Sequence, residues 1–205
     1  GAFLGPAFSA DEVEGWLTLE GISFEPVPDV ALRCAEVAGA LVDGAVVGWF
    51  EGAMEFGPRA LGHRSILADP RDRAMQRRVN ERVKGRETFR PFAPAVLADR
   101  CGDWFDRPTD SPYMTFTSTV RADRRVETDG GALDDDLEAR VALVRSQIPA
   151  VTHVDHSARV QTVDERRNPA FARLLRAFDD LTGCPTLLNT SFNARDEPIV
   201  CTAEE

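Results

Sequence analysis

Apolar and polar positions along the chain switch repeatedly between a helical and an extended period. Ser9 precedes an acidic, partly apolar stretch with Glu12 three residues on, a capping-box arrangement that predicts a helix over Ala10–Leu19. Gly21 ends it, and Ile22–Val27 alternates as a short strand would. Asp29 starts a second helix, with Val30, Cys34, Val37, Ala38 and Leu41 on one face and Gly44 closing it. Ala45–Phe50 reads as a buried strand. A loop punctuated by glycines follows over Glu51–Gly62, then a short strand over Ser65–Ala68. Asp69-Pro70 marks a turn, and Arg71–Val83 reads as a strongly charged helix.

Phe92–Leu97 and Met114–Val120 continue the strand pattern. Between Arg121 and Ile148 the composition shifts. Asp129-Gly130-Gly131 signals a turn, and Asp134-Asp135-Asp136 suits a helix N-terminus, where negative charge meets the positive end of the dipole. Leu137, Val141 and Val144 recur at helical spacing, so residues 121–147 read as a surface insertion carrying one amphipathic helix. Strand returns at Ala158–Val163, helix at Pro169–Leu181 and strand at Thr186–Leu188. Interleaved strands and helices predict one mixed α/β (α+β) domain over residues 1–205, a twisted mixed sheet flanked by helices.

Composition narrows the chemistry. The net charge is −10, which argues against duplex nucleic acid as a partner, because phosphate-backbone affinity needs a basic face. Of the 24 basic residues only Lys84 is lysine, so position and not number must decide which arginines matter. No apolar run reaches the roughly 20 residues a membrane span needs, and Gly1–Ala10 lacks the basic start of a signal peptide. The four cysteines, Cys34, Cys101, Cys184 and Cys201, form no C-x-x-C pair. They read as reduced thiols of a cytoplasmic protein. His153 and His156 are three apart, but Ala150–Val163 reads as extended, which does not stack them as on a helix. No metal site is expected in this chain.

Four segments carry candidate chemistry. In Glu55–Ser65, Gly57 and Gly62 permit close backbone approach and Pro58 stiffens the turn beneath Arg59, a means of presenting an arginine to an anion. In Lys84–Phe92, three cations (Lys84, Arg86, Arg90) fall within seven residues on a loop broken by Gly85 and Pro91 and anchored by Phe89 and Phe92. Cations held so close repel one another unless a polyanion sits among them. Arg77, Arg78 and Arg82, by contrast, read as a solvated helix face. In Thr152–Val163 the alternation puts Ser157, Arg159 and Gln161 on one face, lining a cleft or forming a polar edge. In Leu187–Asn193 an apolar strand ends in Asn189, Ser191 and Asn193, where open α/β sheets commonly place ligands; the same residues also suit a capped turn.

Together, Glu55–Ile66, Lys84–Phe92, Val151–Val163 and Pro185–Asn193 resemble the C-terminal domain of the O-carbamoyltransferases that modify antibiotics and nodulation factors. The resemblance covers nearly the whole chain apart from the region near Arg121–Gln147. Lys84-x-Arg86 and Ser191-x-Asn193 are also similar to motifs of the threonylcarbamoyl-AMP synthase (YrdC-like) fold. It implies a domain, excised from a longer enzyme, that binds carbamoyl phosphate and ATP, with Mg²⁺ accompanying the ATP, and forms a carbamoyl adenylate. An N-terminal transferase domain, which would hold iron or another metal, is implied to pass the carbamoyl group to a hydroxyl of a natural product. Arg59, Lys84, Arg90, Arg159, Asn189 and Ser191 are the implied ATP and substrate contacts, with Arg86 and Asn193 secondary; no general base stands out. Two alternatives belong to other classes: a catalytically silent nucleotide-binding or docking module, and an RNA-binding relative of the same fold.

Overall fold

The structure, a computed structural model, describes residues 1–106, 110–127, 141 and 143–205. Among these residues six strands form one open sheet: β1 (Val47–Phe50), β2 (Arg64–Ala68), β3 (Ala93–Leu97), β4 (Phe116–Thr119), β5 (Ser157–Val163) and β6 (Thr186–Ser191). Their order across the sheet is β1-β2-β6-β3-β5-β4. Only β3 and β5 run parallel; the other neighbouring pairs are antiparallel. Among the described residues the α-helices are α1 (Ala10–Leu19), α2 (Val30–Val42), α3 (Met75–Arg82) and α4 (Pro169–Thr182). This is the mixed α/β arrangement that the alternating periods predict.

Local chemistry sets the helix ends. Ser9 Oγ accepts from the Glu12 amide at 3.2 Å while the Glu12 carboxylate accepts from the Ser9 amide at 2.7 Å, a closed capping box. Asp29 caps α2 through the Ala31 and Leu32 amides, and Asn168 caps α4 ahead of Pro169. Gly183, at φ +69°, stops α4 in the left-handed region. Helices α2 and α4 pack on each other, and α4 packs on β3 and β6. Cys34, Ala38 and Leu41 from α2 and Phe171, Leu174, Leu175 and Phe178 from α4 are buried in one core with Leu67, Val96, Leu97, Leu187 and Leu188. Burial of such side chains contributes roughly 1.5–3 kcal/mol each. All four cysteines are free thiols; desolvation raises Cys101 to about 11 and Cys184 to about 12.

Several boundaries differ from the sequence reading. Ile22–Val27 pairs with no strand and runs as exposed or half-exposed coil. Helix α3 starts at Met75, not Arg71. Asp69 turns back to accept from the Arg71 amide at 2.8 Å, and Asp72 accepts from the Ala74 amide at 2.8 Å. Such side-chain turns compete with the helix for the same amides. Arg78 is not merely solvated: it donates to the Gly44 carbonyl at 3.1 Å and pairs with Asp72. Strand β6 continues to Ser191 because Asn189, Thr190 and Ser191 pair with Leu67, Ile66 and Ser65. Pro149–Val151 is a 3-10 turn, and residues 152–156 turn again before β5 begins at Ser157.

Of the predicted insertion, Asp129–Leu137 lies outside the described residues. Its base is closed by an Arg125–Ser146 bridge and by bonds from the Val126 amide to the Arg145 carbonyl (2.9 Å) and the Gln147 amide to the Arg124 carbonyl (3.0 Å).

Among the described glycines, Gly62 leaves the least room for a Cβ. Its φ is +106°, and a Cβ there would lie 2.2 Å from a Phe171 ring carbon and 2.8 Å from Asn168 Nδ2. Gly62→Ala is expected to cost roughly 2–4 kcal/mol, overpacking added to left-handed strain. Urea denaturation of the two proteins measures it; a loss below 1 kcal/mol, on the order of an ordinary surface change, would show that Phe171 moves aside freely.

Candidate functional site

The Glu55–Ser65 segment is organised by one buried carboxylate. Oε1 of Glu55 accepts from the amides of Leu61 (2.6 Å), His63 (2.8 Å) and Arg64 (3.3 Å). From the other side, Asn189 Nδ2 donates to the Ala60 carbonyl at 3.1 Å. Gln161 Nε2 and Asn168 Nδ2 donate to the Leu61 carbonyl at 2.8 and 3.2 Å. Amides on one side and carbonyls on the other are thus both fixed, and Arg59 stands on that fixed loop. Arg64 is wholly buried and belongs to the framework: it donates to the carbonyls of Glu51, Gly52 and His63 and lies 3.6 Å over the Phe50 ring.

Asn189 and Gln161 come from strands that are not neighbours. Strand β3 runs between them, with Ala93 opposite Asn189 and Ala95 opposite Gln161. Paired residues share a face of the sheet, and two alanines leave room above β3. The Gln161 carbonyl therefore accepts from Asn189 Nδ2 at 2.7 Å across the intervening strand. Gln161 is only 3% exposed, which corrects any solvent-facing reading of the Arg159–Gln161 face. Asn189 Oδ1 is buried with no partner.

The second segment begins where α3 ends. Gly85, at φ +52°, turns the chain where a Cβ would lie 3.4 Å from the Arg195 side chain. Lys84 is 5% exposed, and its ammonium donates to the carbonyls of Ser191 and Asn193 and, at 2.7 Å, to Asn193 Oδ1. Desolvation and neighbouring Arg86 push it down to about 8. Arg86 donates through Nε to Asn80 Oδ1 at 2.7 Å and packs 4.9 Å over the Phe92 ring; burial and then Arg90 lower its pKa. Arg90 pairs with Glu87 at 3.0 Å and is half exposed.

These parts enclose two adjoining chambers. The inner one, about 140 Å³, is lined by Arg59, Arg86, Phe92, Met114, Arg159 and Ser191, with Asn189 at its floor. The outer one, about 270 Å³, is lined by Lys84, Arg86, Glu87, Arg90, Asn193 and Arg195 and again by Ser191. Arg86 and Ser191 border both. The pKa of Arg159 is lowered by burial and then by Arg59, and its Nε is buried without a partner.

All eight residues singled out in the sequence line one chamber or the other, but they do not stand alike. Arg59, Arg86 and Arg159 line the inner space, and among the described residues no carboxylate pairs with them. The Nδ2 protons of Asn189 and the protons of Lys84 are taken up by the protein itself. Sequence reasoning missed Glu55, Asn80, Met114 and Arg195. An uncharged Asn80 amid the charges of Gln76–Arg82 was the one available hint. A third cavity, about 200 Å³, shares Phe89 and Pro91 with the cationic loop and includes Val141 and Arg145 from the end of the predicted insertion. Among the described residues, no group of three or more His, Cys, Asp or Glu is arranged to hold a metal ion, and no helix is long and apolar enough to cross a membrane.

With the fold and these chambers in view, the relationships of the chain are informative. Residues 38–205 match the family model described as carbamoyltransferase C-terminus, and the chain belongs to that family. An uncharacterized protein of Synechocystis is 47% identical over 100% of this chain and 34% of its own length. Nodulation protein NolNO of Sinorhizobium fredii is 43% identical over 97% of this chain and 27% of its own. A 3'-hydroxymethylcephem-O-carbamoyltransferase of Amycolatopsis lactamdurans is 37% identical over 94% and 34%. The chain thus spans about a third or less of the length of these relatives.

Glu55→Ala is expected to cost roughly 2–4 kcal/mol, because it strands buried amide donors. Glu55→Gln, which keeps an acceptor oxygen, is expected to cost less. Chemical denaturation gives the totals, and hydrogen exchange at the Leu61 and His63 amides localises them. Equal losses for the two variants would mean that volume, not the acceptor, holds the loop.

Proposed function

We propose that the paired chambers bind carbamoyl phosphate and ATP and that the domain forms a carbamoyl adenylate. The observation that carries this reading is Arg159, half-buried beside Arg59 with its Nε unpartnered and no carboxylate bound to it. A desolvated cation beside a second cation is destabilised until an anion joins it. A phosphate among Arg59, Arg86 and Arg159 supplies that anion, with charge-assisted and bidentate bonds. Membership in the carbamoyltransferase family supports the choice of carbamoyl phosphate over other phosphates.

The chemistry fits two adjoining spaces. Water cleaves carbamoyl phosphate to carbamate and inorganic phosphate; a carbamate oxygen then attacks the α-phosphorus of ATP and pyrophosphate leaves. Arg86, bordering both spaces, lies where the two anionic reactants must approach, and cations there offset their repulsion and the charge developing on phosphorus. Positioning of the two reactants supplies much of the rate. Mg²⁺ enters as part of the MgATP substrate, held mainly by phosphate oxygens. Transfer to a hydroxyl acceptor falls to sequence beyond this domain, in keeping with relatives about three times as long.

Arg159→Ala is expected to weaken binding of carbamoyl phosphate by about 10- to 150-fold, the loss of a charge-assisted bond. Isothermal titration measures it, with a short RNA as a control ligand; unchanged affinity would remove Arg159 from the site. ATP–pyrophosphate exchange that depends on carbamoyl phosphate tests the adenylation step itself.

Affinity is also expected to fall with pH. Lys84 is charged below about 8 and neutral above it. Raising the pH from 7 to 9 therefore removes a positive charge from the outer chamber, and ATP affinity drops across that interval. Because bound anion favours the ammonium, the drop in the complex lies at higher pH. Lys84→Met should flatten the profile. A wild-type profile that is already flat would show that Lys84 keeps one charge state throughout.

A further inference from the structure

Helix α3 carries a buried polar residue that neither of the motifs beside it contains. Asn80 is 0% exposed, on a helix whose other polar side chains are mostly charged and turned outward, as in the Arg77–Glu81 pair. A buried amide costs free energy unless its two donors and its oxygen are all engaged. Here they are. Nδ2 donates to the Thr88 carbonyl at 3.0 Å and to the Arg90 carbonyl at 2.9 Å. Oδ1 accepts from Arg86 Nε at 2.7 Å, and the backbone carbonyl of Asn80 accepts from the Arg86 amide at 3.0 Å. Gln76, one helical turn earlier, adds bonds from Nε2 to the Phe89 and Arg90 carbonyls at 3.4 and 3.2 Å.

We infer that Asn80 is a positioning residue, which sets the Arg86 guanidinium between the two chambers and holds the 88–90 backbone beside it. The inference rests on reading those chambers as the phosphate-handling site. Asparagine is the residue that fits. Its oxygen must meet a guanidinium and its NH₂ must meet two carbonyls, so the amide has one workable orientation. Aspartate would keep the first contact but bring a carboxylate against two carbonyl oxygens and place a negative charge among the cations. Leucine would fill the volume and leave Arg86 Nε and both carbonyls without their partner. The bond to Nε leaves the terminal nitrogens of Arg86 as the edge that a phosphate would take, and the Phe92 ring at 4.9 Å limits tilting.

The test uses the intact protein and two probes, carbamoyl phosphate and ATP, titrated calorimetrically against wild type, Asn80→Ala, Asn80→Asp, Arg86→Ala and the Asn80→Ala/Arg86→Ala double variant. The expected result is a loss of about 10-fold or more in affinity in Asn80→Ala, and the same loss is expected to shrink to near nothing once Arg86 is already absent. A purely structural role for Asn80 would give the same loss in both backgrounds, and that result overturns the inference, as does unchanged affinity in Asn80→Ala. Asn80→Asp, matched in size, covers the case in which the alanine variant fails to fold; affinity equal to wild type there also overturns it. Hydrogen exchange at the Arg86 and Arg90 amides, expected to speed up in either variant, reads the loop directly. Wild-type protein that binds neither probe overturns the reading of the site itself, whereas wild-type binding with indifferent Asn80 variants overturns only the role given to Asn80.

Discussion

One hydrogen bond between side chains, from Asn189 to Gln161, determines where everything else in the cleft can stand. It spans a strand that belongs to neither residue and is possible because that strand offers Ala93 and Ala95 at the crossing. The same two amides reach upward to the Ala60 and Leu61 carbonyls. The sheet, the loop that bears Arg59 and the floor of the inner chamber are therefore one hydrogen-bonded unit. Replacing either alanine with a larger residue would wedge the amides apart without touching a charge. In this molecule the placement of cations is a problem of neutral groups, solved by the sheet and the loop themselves.

The cations themselves divide into those that are satisfied and those that are not. Arg64, wholly buried, gives its terminal nitrogens to backbone carbonyls and lies over the Phe50 ring, although its Nε has no partner among the described residues, and Arg71 pairs with Asp69. Arg100 and Arg176 meet carboxylates on the far side of the core. Arg159 has no such partner at Nε, and Arg59 adds to its burden. A protein with a net charge of −10 has carboxylates to spare, so their scarcity around the inner chamber is a matter of arrangement.

Much of this was legible in the sequence because the signals were local. Capping residues Ser9 and Asp29, the helical face of α2 and the glycine-broken loops act within a few residues, and they gave those elements nearly intact. Local signals also misled. The alternation in Ile22–Val27 is real, but no neighbouring strand accepts it, and a strand without a partner is only coil. The start of α3 was misplaced because Asp69 and Asp72 compete with the helix for amides. At the cleft, the motifs pointed to residues that line it but not to the contacts each one makes. Nothing local distinguishes a lysine whose protons are held by Ser191 and Asn193 from one that reaches for a ligand. Asn80 was hidden for a related reason: its partners lie six to ten residues on, around a turn whose shape it helps to create.

The caged ammonium of Lys84 has a practical side. It is the only lysine in the sequence, so apart from the α-amino group the chain offers amine-directed reagents one nucleophile. That amine is already partly unprotonated near pH 8, which favours acylation, yet it is buried and tethered to four oxygens, which opposes it. Its rate of modification therefore measures how often the turn at Ser191–Asn193 lets go. Read by mass spectrometry, a single added acyl group becomes a clock for the opening of the cleft, free of background from any other lysine.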